Sequence, residues 1–350
     1  MLAALDENRL SYGRFARQFE SEFARLHDRK FAIFLDSGTA ALQVGLAAMK
    51  ELYGWQDGDE VLVPALTFVA SYNTIVMNNL KPVLVDIRLS DYGMDREKMD
   101  LSKAVAVMPV HLFGRPSDPM IRHWAKEQGV KVIADSCETM FMEGCAEGDV
   151  SCFSTYSAHI INTGVGGLAT TNDPALALLI RSFANHGRNG IYTGIDDALG
   201  SKETMSARFS FDRLGYSYRA TELQAAIGCA ELEVWEDNIN ARRKHAGEMA
   251  MELADLPLVL PQVAGSSNMM FPVLSEQRDA LVLHLEQNGI ETRPMLPLTN
   301  QPYLKATVCE DDFPVAKRVN EQGFYVGCHP YLSEDDISHM SRVFHEFYAR

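Results

Sequence analysis

The sequence has no surplus of positive charge. Its 350 residues carry 47 Asp and Glu against 32 Lys and Arg, a formal net charge of −15 at pH 7. That balance argues against a nucleic-acid surface, which needs clustered cations. No apolar run is long enough to span a bilayer. The opening stretch, MLAALDENRL, brings acidic groups early and has no secretory hydrophobic segment. Tight cysteine pairs are also missing. Cys137, Cys145 and Cys152 are spaced x7 and x6, and Cys229, Cys309 and Cys328 lie farther off. Zinc or iron–sulfur ligation wants at least one close pair, so no metal is expected. Reduced thiols in a cytoplasm are the expectation. Internal repeats and low-complexity segments are absent too.

What is present is an ordinary globular composition, 47% apolar and 23% charged, in a chain long enough for two domains. Strand and helix signals alternate. A helix is predicted over 13–28, a strand over 31–35, a helix over 39–53 and a strand over 60–64. A helix over 69–79, a strand over 82–87, a strand over 104–110, a helix over 117–128 and a strand over 130–134 follow. This is the pattern of an α/β fold with a mostly parallel sheet and helices on both faces. Helices are predicted over 173–185 and 220–247. Beyond them come strands over 268–274 and 290–293 and helices over 276–288, 313–322 and 334–348, the pattern of a small α+β domain. The expected division is a large domain, 1–245, and a small one, 246–350. The stretch 186–219 is too long for an ordinary connection and reads as a functional or interface loop.

In such sheets ligands sit beyond the carboxyl ends of the strands. Asp36, Pro64, Asp86, His111 and Asp135 fall at those ends. Ser37-Gly38-Thr39 starts a helix directly after a strand, a geometry that aims free N–H groups at a phosphate; a plain helix cap reads the same way. Asp135 is a candidate partner for a protonated ring nitrogen, and equally a turn or helix cap. The stretch 149–167, DVSCFSTYSAHIINTGVGG, ends in glycines that let backbone approach a ligand closely, and a strand-like run follows it.

Motifs in sequence order then point to a family. They are SGTAAL at 37–42, GDEVLVPALTFVAS at 58–71, PVLVDI at 82–87, VHLFGRP at 110–116 and VIADSCE at 132–138. The 149–167 stretch, NHGRNG at 185–190, LGYSYRATELQAAIG at 214–228 and TRP at 292–294 complete them. The chain resembles, over about residues 8–348, the DegT/DnrJ/EryC1/StrS group of sugar-modifying pyridoxal-phosphate (PLP) enzymes, of aspartate-aminotransferase fold type. The resemblance implies that Gly38, Thr39 and Ser154 hold the cofactor phosphate. It implies that Phe68 stacks on the pyridine ring, although Phe68 alone reads as core. Asp135 would pair with the ring nitrogen, and Glu138 would lie beside the phenolic oxygen. It further implies a homodimer with shared sites, into which residues of 186–219 reach. Ser217 would stand where the family has an asparagine that contacts the phosphate across the dimer.

One family feature is missing. The lysine that tethers PLP as a Schiff base would fall seven positions into the FSxxxxK…GxGG segment, and that position is His159. No lysine occurs anywhere from 132 to 201, so no shift of alignment supplies one. An imidazole cannot form the tether but can move protons near neutral pH. PLP, or its amine form PMP, would therefore be held non-covalently. The same change marks the PMP-dependent 3-dehydratases of nucleotide-linked 4-keto-6-deoxyhexoses, in which glutamate supplies the amino group, the histidine acts as base and the C3 hydroxyl leaves as water. The chain resembles the kind without an iron–sulfur cluster. It departs from that branch where Ile160 replaces a second histidine and where SGTAAL is closer to the aminotransferases. It departs from the family as a whole where Val165 replaces a glutamate before the glycine pair and Ser217 replaces the asparagine. An aminotransferase-like enzyme acting on another ketone or amine without an internal tether, and a catalytically silent member, are the alternatives.

Overall fold

The computed structural model describes residues 2–6, 9–188, 209–296 and 298–349. A short helix α1 (Leu2–Asp6) precedes α2 (Arg14–Leu26), whose Phe19 and Phe23 are fully buried against the sheet. The start of α2 is fixed from far away in sequence. The buried carboxylate of Glu222 accepts the backbone N–H groups of Gly13 at 2.6 Å, Phe15 at 3.0 Å and Ala16 at 2.9 Å. Those are donors that a helix start leaves without intrahelical partners.

The large sheet has seven strands: β1 (Phe31–Leu35), β2 (Glu60–Pro64), β3 (Lys81–Val85), β4 (Ala104–Val107), β5 (Lys131–Asp135), β6 (Val150–Ser154) and β7 (Gly167–Thr171). Their order is β1-β7-β6-β5-β4-β2-β3. All neighbours are parallel except that β7 runs against both β1 and β6. The sheet is thus mostly parallel, as the alternating signals predict. Its covering helices include α3 (Gly38–Tyr53), α4 (Val69–Met77), α5 (Met120–Glu127) and α6 (Pro174–Ala184). Because β7 is reversed, its first residue lies at the edge where the parallel strands end. Gly167 faces Leu35 on one side and Ser154 on the other.

The sequence pattern predicts one helix over 220–247. The structure has two, α7 (Glu222–Glu233) and α8 (Trp235–Glu252), broken at Val234, whose φ of −121° and ψ of 13° leave the helical region. The break turns Trp235 onto Phe141, with the rings stacked at 4.4 Å. The division expected at residue 245 falls inside α8. Beyond it lies a three-stranded antiparallel sheet, with β10 (Gly323–Gly327) between β8 (Met270–Leu274) and β9 (Thr292–Pro294). The helices α9 (Arg278–Gln287), α10 (Pro314–Gln322) and α11 (Glu334–Tyr348) accompany it, around a core that includes Phe271, Phe324 and Phe344. Strand β10 follows α10 with no turn residues between them, so its sequence gives little warning of it.

Two of the strand-end residues are committed elsewhere. Asp86 accepts the N–H groups of Val315 at 3.2 Å and Ala316 at 2.9 Å, capping α10, and pairs with Lys98 at 2.7 Å. His111 is buried, and its Nδ1 accepts the Ser117 N–H at 2.9 Å. Among the described residues no helix is long and apolar enough to cross a membrane.

Candidate active site

The site forms where β1, β6 and β7 meet at one edge. Ser37 caps α3, its hydroxyl accepting the Ala40 N–H at 3.1 Å. Gly38 opens the helix in a space with no room for a side chain. A Cβ there would stand 2.7 Å from Cys137 Sγ and 2.8 Å from Ser154 Cβ. A Cβ on Gly167 would stand 2.4 Å from the Ser37 carbonyl. Thr39 is exposed at the same helix start. Gly38, Thr39 and Ser154 are therefore brought together around a helix N-terminus, which favours an anion.

Next to this cradle lies Asp135, buried at the end of β5. Its Oδ2 accepts the Ser71 hydroxyl at 2.7 Å and its Oδ1 accepts the Cys137 N–H at 3.1 Å. Ser71 is itself 2.7 Å from the Thr67 hydroxyl. Burial pushes the Asp135 carboxyl up, against the pull of the Ser71 and Cys137 donors. Among the described residues it forms no ion pair with a cation. A buried carboxylate without a cation is costly, and a protonated ring nitrogen would supply one. Glu138 lies on the same segment, its Oε2 accepting the Phe113 N–H at 2.9 Å. Burial and the neighbouring Asp135 push the Glu138 carboxyl up to about 7, opposed by that amide. Phe68, just before α4, is 57% exposed, so it is not core. An aromatic ring left open beside a site can stack on a planar ligand.

His159 sits on the loop between β6 and β7. Its N–H donates to the Tyr156 carbonyl at 2.8 Å, and the Tyr156 ring lies edge-on at 6.1 Å. Its Nδ1 is buried with no hydrogen-bond partner. Burial pushes the imidazole down to about 4; backbone groups of Ser154 and Cys137 oppose this, and the Arg242 charge adds to it. At neutral pH the ring is uncharged. The Cys137 thiol, next to both His159 and Gly38, is driven up by burial and by Asp135 and stays protonated.

Ile160 is buried in the core, while Val165 is 50% exposed, with its carbonyl held by Thr163 at 2.9 Å and Gln224 at 2.9 Å. Ser217 is not part of the cradle. It is exposed, and its hydroxyl accepts from Arg219 at 3.0 Å. Its neighbour Tyr218 accepts the Asp36 N–H at 3.0 Å along the free edge of β1. Of the loop 186–219, residues 189–208 lie outside the described residues. Three groups that pattern reading passes over also belong here. Thr67 and Ser71, four apart at the start of α4, carried a weak signal in their spacing. Arg242, 83 positions from His159, carried none.

The arrangement fits PLP or PMP. It has an anion cradle without room for a Cβ, a buried carboxylate lacking a cation, an open aromatic ring and a neutral imidazole with an orphaned nitrogen. The chain is 33% identical over 348 residues to GDP-perosamine synthase of Caulobacter vibrioides, covering 93% of this chain and 88% of that protein. It is 27% identical over 372 residues to GDP-4-keto-6-deoxy-D-mannose 3-dehydratase of Escherichia coli O55:H7, covering 97% and 94%. The solved structure of the E. coli GDP-4-keto-6-deoxy-D-mannose-3-dehydratase with bound hydrated PLP superposes with a TM-score of 0.89 at 27% identity, covering 98% of this chain and 95% of that one. Residues 1–345 match the DegT/DnrJ/EryC1/StrS aminotransferase family, and with fold, site and relatives in agreement, it is to that family of fold type I PLP enzymes that this chain belongs.

Proposed function

We propose that this chain is a PMP-dependent dehydratase that removes the C3 hydroxyl of a nucleotide-linked 4-keto-6-deoxyhexose, with L-glutamate as amino donor. The observation that carries the reading is His159: a neutral imidazole with a buried, unpartnered Nδ1 where the family's tethering lysine would be. The cofactor, when bound, supplies an electron-accepting ring that stabilises negative charge beside its C4′ carbon. Gly38, Thr39 and Ser154 hold its phosphate, Phe68 covers the ring, and Glu138 faces the phenolic oxygen. Asp135 keeps the ring nitrogen protonated. His159 accepts a proton and can return it, but forms no covalent link. Residues 1–245 would form the cofactor-binding domain and 246–350 the small domain.

A homodimer with shared sites, in the cytoplasm, goes with this reading. Leu214, 96% exposed, and Met77, 63% exposed, line one surface depression with Trp55 and Tyr216, alongside the polar Lys50, Glu51, Asn78 and Asn79, a mixed face suited to a second copy. Ser217 would then meet the partner's phosphate.

The second reading is an aminotransferase-like enzyme acting without an internal tether. The 33% identity to a perosamine synthase and the aminotransferase-like SGTAAL at 37–42 favour it. One incubation separates the two. The protein with PLP, glutamate and GDP-4-keto-6-deoxymannose should release ammonia and a 3-deoxy sugar. A stable amino sugar would replace the first reading with the second. Neither product would leave the catalytically silent alternative. Borohydride treatment of the PLP-loaded protein should fix no cofactor to the chain; a link to any lysine would overturn the non-covalent site.

A further inference from the structure

Arg242 is a cation in an unusual setting. It projects from α8, is 4% exposed, and among the described residues has no carboxylate within ion-pair distance. It donates instead to carbonyls of three separate segments. Nη1 reaches Met269 at 2.9 Å and Cys328 at 2.5 Å, and Nη2 reaches the His159 carbonyl at 3.5 Å. The Cys328 thiol returns a contact to the Arg242 carbonyl at 3.5 Å. Met269 leads into β8 and Cys328 leaves β10, so the guanidinium ties the small sheet to the loop that carries His159. Burying a charge on carbonyl dipoles alone is costly for a purely structural tie. A neutral side chain would serve that end at less cost.

We propose that Arg242 is a positioning residue for His159: it fixes the 155–163 loop against the small domain and sets a positive charge behind the imidazole. The inference rests on the reading of His159 as base. The guanidinium repels a proton arriving on the ring, and its hold on the His159 carbonyl limits how far the ring can drift. The other titratable groups around the pair are Tyr156 and Cys137 beside the imidazole, and Cys328, His329 and Tyr331 beside the guanidinium, with His245 and Asp336 next to His329.

The test compares the wild type with Arg242→Gln, Arg242→Lys and His159→Asn, all as full-length, cofactor-free protein. Hydrogen–deuterium exchange is read over 155–163, with α3 as the control for an intact fold. Histidine-labelled NMR follows the His159 ring through a pH titration, its resonance assigned by its loss in His159→Asn. Arg242→Gln should speed exchange of the loop about tenfold while α3 is unchanged, since one buried tie is lost. It should also move the His159 midpoint upward. Arg242→Lys should keep the midpoint near wild type, because the charge remains, and restore protection only in part. Should Arg242→Gln fail to fold, Arg242→Lys carries the test through its partial loss of loop protection. Unchanged loop exchange, or an unchanged midpoint in folded Arg242→Gln, would overturn the proposal. These readouts need no turnover, so they stand apart from the base assignment, which falls if His159→Asn retains wild-type kcat in the dehydration assay. In that assay Arg242→Gln should lower kcat and raise the pH of its acid limb, with KM little changed.

Discussion

The hydroxyl of Ser71 donates to Asp135 Oδ2 over 2.7 Å, linking the first turn of α4 to the end of β5. This contact holds a buried carboxylate that among the described residues has no cation beside it. Ser71→Ala should destabilise the cofactor-free protein at pH 7 by about 1.5–3 kcal/mol, the range for a hydrogen bond to a charged group. The loss should shrink at lower pH, because a protonated carboxyl depends less on that donor. Urea denaturation at several pH values reads both effects, and an equal loss at every pH would contradict them.

Gly38→Ala should act on the cradle. The new Cβ would press on Cys137 Sγ and Ser154 Cβ, both at less than 3 Å. Overpacking of this kind costs about 1–3 kcal/mol, so PLP should bind about tenfold more weakly or worse. The check is the rise in melting temperature on adding PLP, which should be large in the wild type and small in the variant.

Glu138 makes a pH prediction whose sign differs from that of most carboxylates. Its folded value is raised to about 7, above that of an unfolded glutamate near 4.5. Between those values the folded protein holds a proton that the unfolded chain has lost. Glu138 therefore costs nothing at low pH, and its cost grows as pH rises through the window and is complete above about 7. His159 works in the opposite sense: with a folded value near 4, its contribution is lost as pH falls from about 6.5 to 4. Glu138→Gln keeps an acceptor for the Phe113 N–H but cannot ionise. In the cofactor-free protein it should be more stable than the wild type at pH 8 and gain little at pH 5. Melting temperatures at those two pH values decide it.

Glu222→Gln tests the tie between α2 and α7. Gly13 and Ala16 share Oε1 while Phe15 uses Oε2, so a glutamine keeps one acceptor oxygen and sets an NH2 group against the remaining donor. A loss of about 1–3 kcal/mol is expected in chemical denaturation, with cofactor affinity unchanged, because the tie lies away from the phosphate cradle.

Much of this was legible in the chain. Local signals carried the strands and helices, since alternating apolar runs fix which face is buried. Ser37-Gly38-Thr39 and Asp135 stood at strand ends, and the reversed β7 then placed Gly167 against them. Phe68 could be called for stacking only through the resemblance; its 57% exposure in the fold is what removes it from the core. The break at Val234 was hidden because the contact that goes with it, Trp235 stacked on Phe141, joins positions almost 100 apart in the chain. Asp86 misled for a similar reason, since the helix it caps begins at Pro314. The role of Arg242 is of the same kind, arising from three carbonyls that only tertiary structure assembles.

The loop bearing His159 is anchored at both ends in one antiparallel pair, with Ser154 opposite Gly167. The supports and the tip are therefore separate parts. A different side chain can be mounted at position 159 while the strands beneath it keep their pairing, and the close approach of Gly38 to Ser154 at the ends of those strands stays where it was. In such a construction a change of chemistry needs no change of scaffold, which is how one protein frame can serve both amino transfer and the loss of water.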